Sequence, residues 1–148
     1  MHTFHHLLVH TVFSTKHREG CLTREIRGRL WPYLGGIARE HEMRALAVGG
    51  MADHVHLLLS LPTTLSVAKA MQTLKASSSK WMHETFPELR QFSWQQGYGA
   101  FSIGVSGVED TIRYIETQEE HHHVRGFREE LEAFLTRHGI PFEPAMLD

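Results

Sequence analysis

His54-Val55-His56 is the sharpest chemical feature of this 148-residue sequence. Residues two apart on a β-strand face the same side, so both imidazoles can converge on one ion. Val55 and Leu57 then turn to an opposite, apolar layer. A His-x-His pair alone is an incomplete site, and two histidines satisfied inside a half-buried strand account for it more simply. Tyr114 and Gln118 form a second constellation, because residues four apart on a helix share a face. The Gln118 carbonyl is a hard oxygen able to act as a third ligand. Two imidazole nitrogens and an amide oxygen suit Mg²⁺ or Mn²⁺ and lack the thiolates of a zinc site. Tyrosine is a weak nucleophile at its ordinary pKa of about 10 and needs an activated electrophile, which a metal on phosphate oxygens provides. Taken alone, Tyr114 reads as packing on a helix beside Ile112 and Ile115.

The elements that must position these groups follow from hydrophobic periodicity. Phe4 to Phe13 reads as a strand ending at a polar turn from Ser14 to Arg18. Thr23 caps a helix whose apolar face is Ile26, Leu30, Leu34 and Ile37, with Pro32 expected to kink it and Gly35-Gly36 to weaken its later half. Met43 to Met51 and His54 to Leu61 read as adjacent strands, the second closed by Pro62. A long helix is expected from about Leu65 to Phe86, on the stripe Val67, Met71, Leu74, Ser78 and Trp81. Phe92 to Gly104 reads as a hairpin or bent strand around Gln95-Gln96-Gly97. Ser106-Gly107-Val108-Glu109 has capping-box spacing and announces a helix through Tyr114 to about Glu120. Phe127 to His138 is a final amphipathic helix on Phe127, Leu131, Phe134 and Leu135, ended by Gly139 and Pro141. This order predicts an α+β fold, an antiparallel sheet with helices on one face.

Composition bounds the reading. At 41% hydrophobic and 22% charged, the chain can bury one core, with a short C-terminal appendage. No apolar run approaches the ~20 residues that span a bilayer. His2, His5 and His6 interrupt the start, so no signal peptide is expected, and a lone Cys21 excludes an internal disulfide. A cytoplasmic location is the expectation. Fifteen Lys and Arg against 17 Asp and Glu give a net charge of −2, yet Lys16, Arg18, Arg24, Arg27, Arg29, Arg39 and Arg44 crowd the first third. A local basic face is therefore compatible with the acidic total. Thirteen histidines are unusually many; His121, His122 and His123 read as a solvated helix end and also offer competing metal ligands.

The two constellations together make the chain recognisable. Asp53-His54-Val55-His56-Leu57-Leu58-Leu59 followed by Tyr114-Ile115-Glu116-Thr117-Gln118 resembles the single-tyrosine HUH transposases of small bacterial insertion sequences. The stretch His10 to Arg18, Leu74-Lys75 with Ser78-Ser79-Lys80-Trp81, and Trp94 to Ser102 match that family in order, over residues 4 to 125. The segment from Phe127 onward is similar both to longer, REP-associated relatives and to some insertion-sequence members. The resemblance implies a ferredoxin-like, RRM-like core formed by residues 1–125, with residues 126–148 as a helical extension of the same domain. It implies His54, His56 and Gln118 as ligands of Mg²⁺ or Mn²⁺ and Tyr114 as the nucleophile. It further implies cleavage and rejoining of single-stranded DNA near hairpins through a 5′-phosphotyrosine link, by a homodimer whose tyrosine helix completes the partner's site.

Other residues fit such a substrate. Lys16, Arg18, Lys75 and Lys80 can bind phosphates, and Trp94 and Tyr98 can stack on unpaired bases. Phe101 could join them, though core packing is preferred for Phe101 and Trp81. Asp53 reads as a turn residue, with orientation of a ligand histidine as the second possibility. The rival readings are a domesticated enzyme processing repeat hairpins, a non-catalytic single-strand binder that keeps the sheet, and a small histidine-rich zinc protein.

Overall fold

The computed structural model describes residues 1–121 and 126–147, without the side chains of residues 120 and 121. The His121–His123 run noted above therefore lies outside the described side chains. Strand β1 (Leu8–Ser14) begins four residues later than its apolar composition suggests. Helix α1 (Arg24–Glu40) starts at Thr23, whose hydroxyl accepts from the amide of Ile26 at 3.3 Å. The helix runs unbroken through Pro32 and Gly35-Gly36, because Ile26, Leu30, Leu34 and Ile37 are all buried and hold it against the sheet. β2 (Arg44–Met51) and β3 (His54–Ser60) follow as the antiparallel pair expected. α2 (Val67–Thr85) is capped by Ser66.

The region from Phe92 to Gly104 is not a hairpin. Trp94 makes one bridge to Thr15, and only β4 (Gly99–Ile103) is a strand, paired with β1. The capping box at Ser106 does not form either. Val105–Gly107 is a 3-10 turn, and α3 (Val108–Glu116) starts from Gly107 with no side-chain cap. At Thr117 the backbone leaves helical geometry (φ −110°, ψ 32°), and a short turn of helix, α4 (Gln118–His121), carries on. α5 (Phe127–Arg137) closes with Gly139 at φ 65°, a left-handed value that glycine adopts without Cβ strain.

The four strands form an antiparallel sheet in the order β2-β3-β1-β4. Ferredoxin-like topology follows from two strand-helix-strand crossovers placing α1 and α2 on one face. There Phe13, Val55, Leu57 and Leu59 meet Leu30, Leu34, Met71 and Leu74 in the main core. The alternation then commits the other face to Leu8, His10, Val12, His54, His56 and Leu58. That face is covered by the C-terminal helices. Leu58 and Ala47 pack with Ile115 of α3, and Val12 and Phe101 pack with Phe127 and Phe134 of α5. α3 approaches β2 closely enough that a Cβ on Gly49 would collide with the Ile115 carbonyl.

Candidate active site

β3 delivers His54 and His56 to the face beneath α3, α4 and α5, both fully buried. Their rings lie 5.1 Å apart, nearly perpendicular. Each is fixed from behind. Asp53, in the β2–β3 turn, accepts from His54 Nδ1 at 2.8 Å, so it is both turn residue and orienting group. His56 Nδ1 lies 2.8 Å from Nε2 of His10 on β1. Burial, reinforced by the neighbouring His56, pushes His10 down to about 3. A neutral imidazole both gives and takes hydrogen bonds, so His10 can hold His56 in either tautomer.

The Nε2 atoms point into one space, where three other side chains arrive. Gln118 Oε1 on α4 is 3.0 Å from His54 Nε2. Glu130 on α5, only 2% exposed, places Oε1 2.8 Å from His56 Nε2 and Oε2 3.7 Å from His54 Nε2. The Tyr114 hydroxyl donates to the same Glu130 Oε1, and the Gln118 amide reaches it at 3.4 Å. The Tyr114 ring stands edge-on to His56, with centroids 5.7 Å apart. All five side chains come from one chain.

This donor set fits a divalent ion. The ligating atoms of His54, His56 and Glu130 lie within 4.8 Å of one another. Neighbouring ligands of an octahedral ion with bonds of about 2.1 Å sit roughly 3 Å apart. The His54–Gln118 and His56–Glu130 separations, 3.0 and 2.8 Å, are of that size. Imidazole nitrogens with a carboxylate and an amide oxygen suit Mg²⁺ or Mn²⁺.

The histidine pair on β3 is thus joined through the Glu130 carboxylate to the hydroxyl of Tyr114 on α3. The profile of the IS200-like transposases matches residues 3–118. The chain belongs to that family. The transposase of insertion sequence IS200 from Salmonella typhimurium is 31% identical over 121 residues, covering 76% of this chain and 79% of the relative. The ISDra2 transposase TnpA of Deinococcus radiodurans is 26% identical over 116 residues, covering 75% and 83%. A crystal structure from Deinococcus radiodurans R1, assigned to the transposases, superposes with a TM-score of 0.67 at 27% identity, covering 80% of this chain and 95% of that one. A REP-associated tyrosine transposase bound to a REP hairpin shares the fold, with a TM-score of 0.57 at 13% identity, over 78% and 69%. As a member of the IS200-like transposases, the protein is a DNA strand transferase. Among the described residues no helix is long and apolar enough to cross a membrane.

The remaining sequence candidates of this transposase separate in space. Lys16 and Lys80 are exposed, and Arg18 is half-buried with its guanidinium 5.1 Å from the Phe127 ring centroid. Lys75 Nζ donates to the carbonyls of Gln95 and Gly97 at 2.9 and 2.5 Å, so it staples that loop; burial lowers its pKa. Trp94 is buried edge-on against Phe13 and Phe92 and donates to Ser78, which makes it a core residue and leaves no open stacking face. Tyr98 is exposed. Phe101 and Trp81 pack as preferred, Trp81 flat against Tyr33.

Sequence reasoning missed His10 and Glu130. Both carried a signal. His10 is polar at a strand position whose alternation is otherwise inward and apolar. Glu130 follows Phe127 by three and precedes Phe134 by four, so it sits on the apolar stripe of its helix.

Proposed function

We propose that this transposase cleaves and rejoins single-stranded DNA with Tyr114 as nucleophile and a divalent ion held by His54, His56 and Gln118, joined by Glu130. The observation that carries it is Glu130 Oε1, which accepts the Tyr114 hydroxyl and faces His56 Nε2 at once. Nucleophile and metal donors therefore share one atom. When bound, the ion withdraws charge from the phosphate oxygens and makes phosphorus electrophilic. The Tyr114 oxygen bonds to phosphorus while the bond from phosphorus to the 3′-oxygen breaks. The phenol proton passes to Glu130 Oε1, already its hydrogen-bond acceptor, and a proton returns to the leaving 3′-oxygen. The product is a 5′-phosphotyrosine and a free 3′-hydroxyl, with no net redox change or nucleotide consumed. Attack by a second 3′-hydroxyl reverses the step and joins strands.

A hairpin-bearing insertion-sequence end is the substrate implied by the family resemblance, and a homodimer is the assembly; light scattering checks the latter. Residues 1–125 and the extension 126–148 act as one unit in this reading, because α5 supplies Glu130. The test is incubation with single-stranded hairpin oligonucleotides and Mn²⁺, followed by denaturing electrophoresis. Wild type should form a covalent protein–DNA adduct, and Tyr114→Phe and His56→Ala should form none. An adduct with Tyr114→Phe would remove the proposed nucleophile.

A further inference from the structure

A cavity of 590 Å³ opens beside the site, bounded by the Lys16–Arg18 turn, the loop from Gln95 to Gly99, and the C-terminal segment. We propose that it binds an unpaired nucleotide of single-stranded DNA adjoining the phosphate that Tyr114 attacks. This rests on the reading above and adds a specificity subsite to it.

The size is that of a small-ligand site, and the lining has three distinct parts. The floor is apolar, from Val12 on β1 and Leu131, Leu135 and Leu147 of the C-terminal segment. The mouth carries Tyr98, 44% exposed, whose ring lies 5.9 Å from Lys75 Nζ. The wall holds Arg18, with Gln95 and Gln96 beside it. An aromatic face, amides for a base edge and a cation for a phosphate together match a stacked nucleotide.

Placement ties the cavity to the chemistry. Phe127 lines it and also stacks on His54, with centroids 4.5 Å apart and planes 22° from parallel. An occupant is thus one ring away from the donor cluster. The turn presenting Arg18 is itself unusual: His17 and Arg18 have φ of 58° and 55°, values that cost energy in residues with a Cβ. The Arg18 amide bonds to the Thr15 carbonyl at 2.9 Å, and Gln95 Oε1 accepts the His17 amide at 3.2 Å, so turn and loop brace each other. The apolar floor from Leu131 to Leu147 lies beyond the family match at residues 3–118, so the C-terminal segment supplies this part of the cavity.

The probe is a fluorescein-labelled single-stranded oligonucleotide of mixed sequence, titrated in EDTA and followed by anisotropy. Wild type should bind it in preference to the duplex of the same sequence. Tyr98→Ala, a surface change that does not threaten folding, should weaken binding roughly five- to tenfold. Leu135→Trp, which fills the floor, should weaken it by about tenfold or more, and Mn²⁺ affinity should be unchanged in both. Photocrosslinking with iodouracil-substituted DNA should attach to the cavity lining. The proposal is overturned if wild type binds duplex equally well, if both variants bind like wild type, or if crosslinks map elsewhere. Crosslinking in the cavity without a Tyr114 adduct would support the subsite and overturn the catalytic reading. Wild-type adduct yield from a folded Leu135→Trp would do the reverse.

Discussion

Each imidazole of the donor pair is held from behind by a different kind of partner, and the difference has consequences. Asp53 is half-buried and ionic, whereas His10 is buried and kept neutral by its surroundings. Asp53→Ala should therefore lower Mn²⁺ affinity by about tenfold or more, since orienting partners typically contribute 10- to 100-fold; isothermal titration measures it. Glu130→Gln keeps the shape but removes the anion that His54, His56, Gln118 and Tyr114 all face. It should weaken Mn²⁺ binding by roughly tenfold or more and reduce adduct formation. Unchanged Mn²⁺ affinity in this variant would take Glu130 out of the ligand set.

At the level of elements, the position of the tyrosine depends on a glycine in a strand. Gly49 lets the backbone of α3 rest on β2 at Ile115, next to Tyr114. A larger residue must lift the helix and carry Tyr114 and Gln118 away from the histidines. Gly49→Val should cost about 1–3 kcal/mol of stability and abolish the adduct even where the sheet still folds, as circular dichroism would show. Thr23→Ala offers the contrast. It removes the cap of α1 on the opposite face, should cost about 1 kcal/mol, and should leave adduct yield unchanged below the unfolding range.

Across the whole molecule, one sheet carries two unlike faces. The α1/α2 face is an apolar core, and the opposite face mixes Leu8 and Val12 with His10, His54 and His56. Covering polar groups is costly unless they are paired, and α4 and α5 supply that pairing through Gln118 and Glu130 while Arg27 ties Glu119 back to α1 at 3.3 Å. An ion binding only the folded chain adds stability by mass action, about 2.7 kcal/mol at a hundredfold excess over its Kd. Thermal unfolding should therefore shift upward with Mn²⁺ and return with EDTA. Absence of any shift would count against a metal site.

How much was legible divides along the range of the interactions. Strand alternation through His54, Val55, His56 and Leu57 and helical steps from Ile26 to Ile37 are local, and residues of fixed spacing must share faces whatever surrounds them. The sequence by itself thus determined the sheet, its crossover helices and the shared face of His54 and His56, whereas Gln118 lies beyond the break at Thr117, on α4 and not on the helix of Tyr114. Three local signals were overridden: Gln95-Gln96-Gly97 makes no hairpin, Ser106 does not cap because a 3-10 turn precedes α3, and Pro32 does not break α1 because burial holds it. Trp94 was misjudged because exposure belongs to the fold, and its indole is spent on Ser78. Only tertiary structure decided that the second sheet face is roofed by α3 and α5, that Glu130 meets His56 and Tyr114, and that His10 lies behind His56. The side-chain contacts among them join residues 16 to 74 positions apart along the chain, from Glu130 with Tyr114 to Glu130 with His56. No periodicity encodes them; they arise when packed helices close over a sheet.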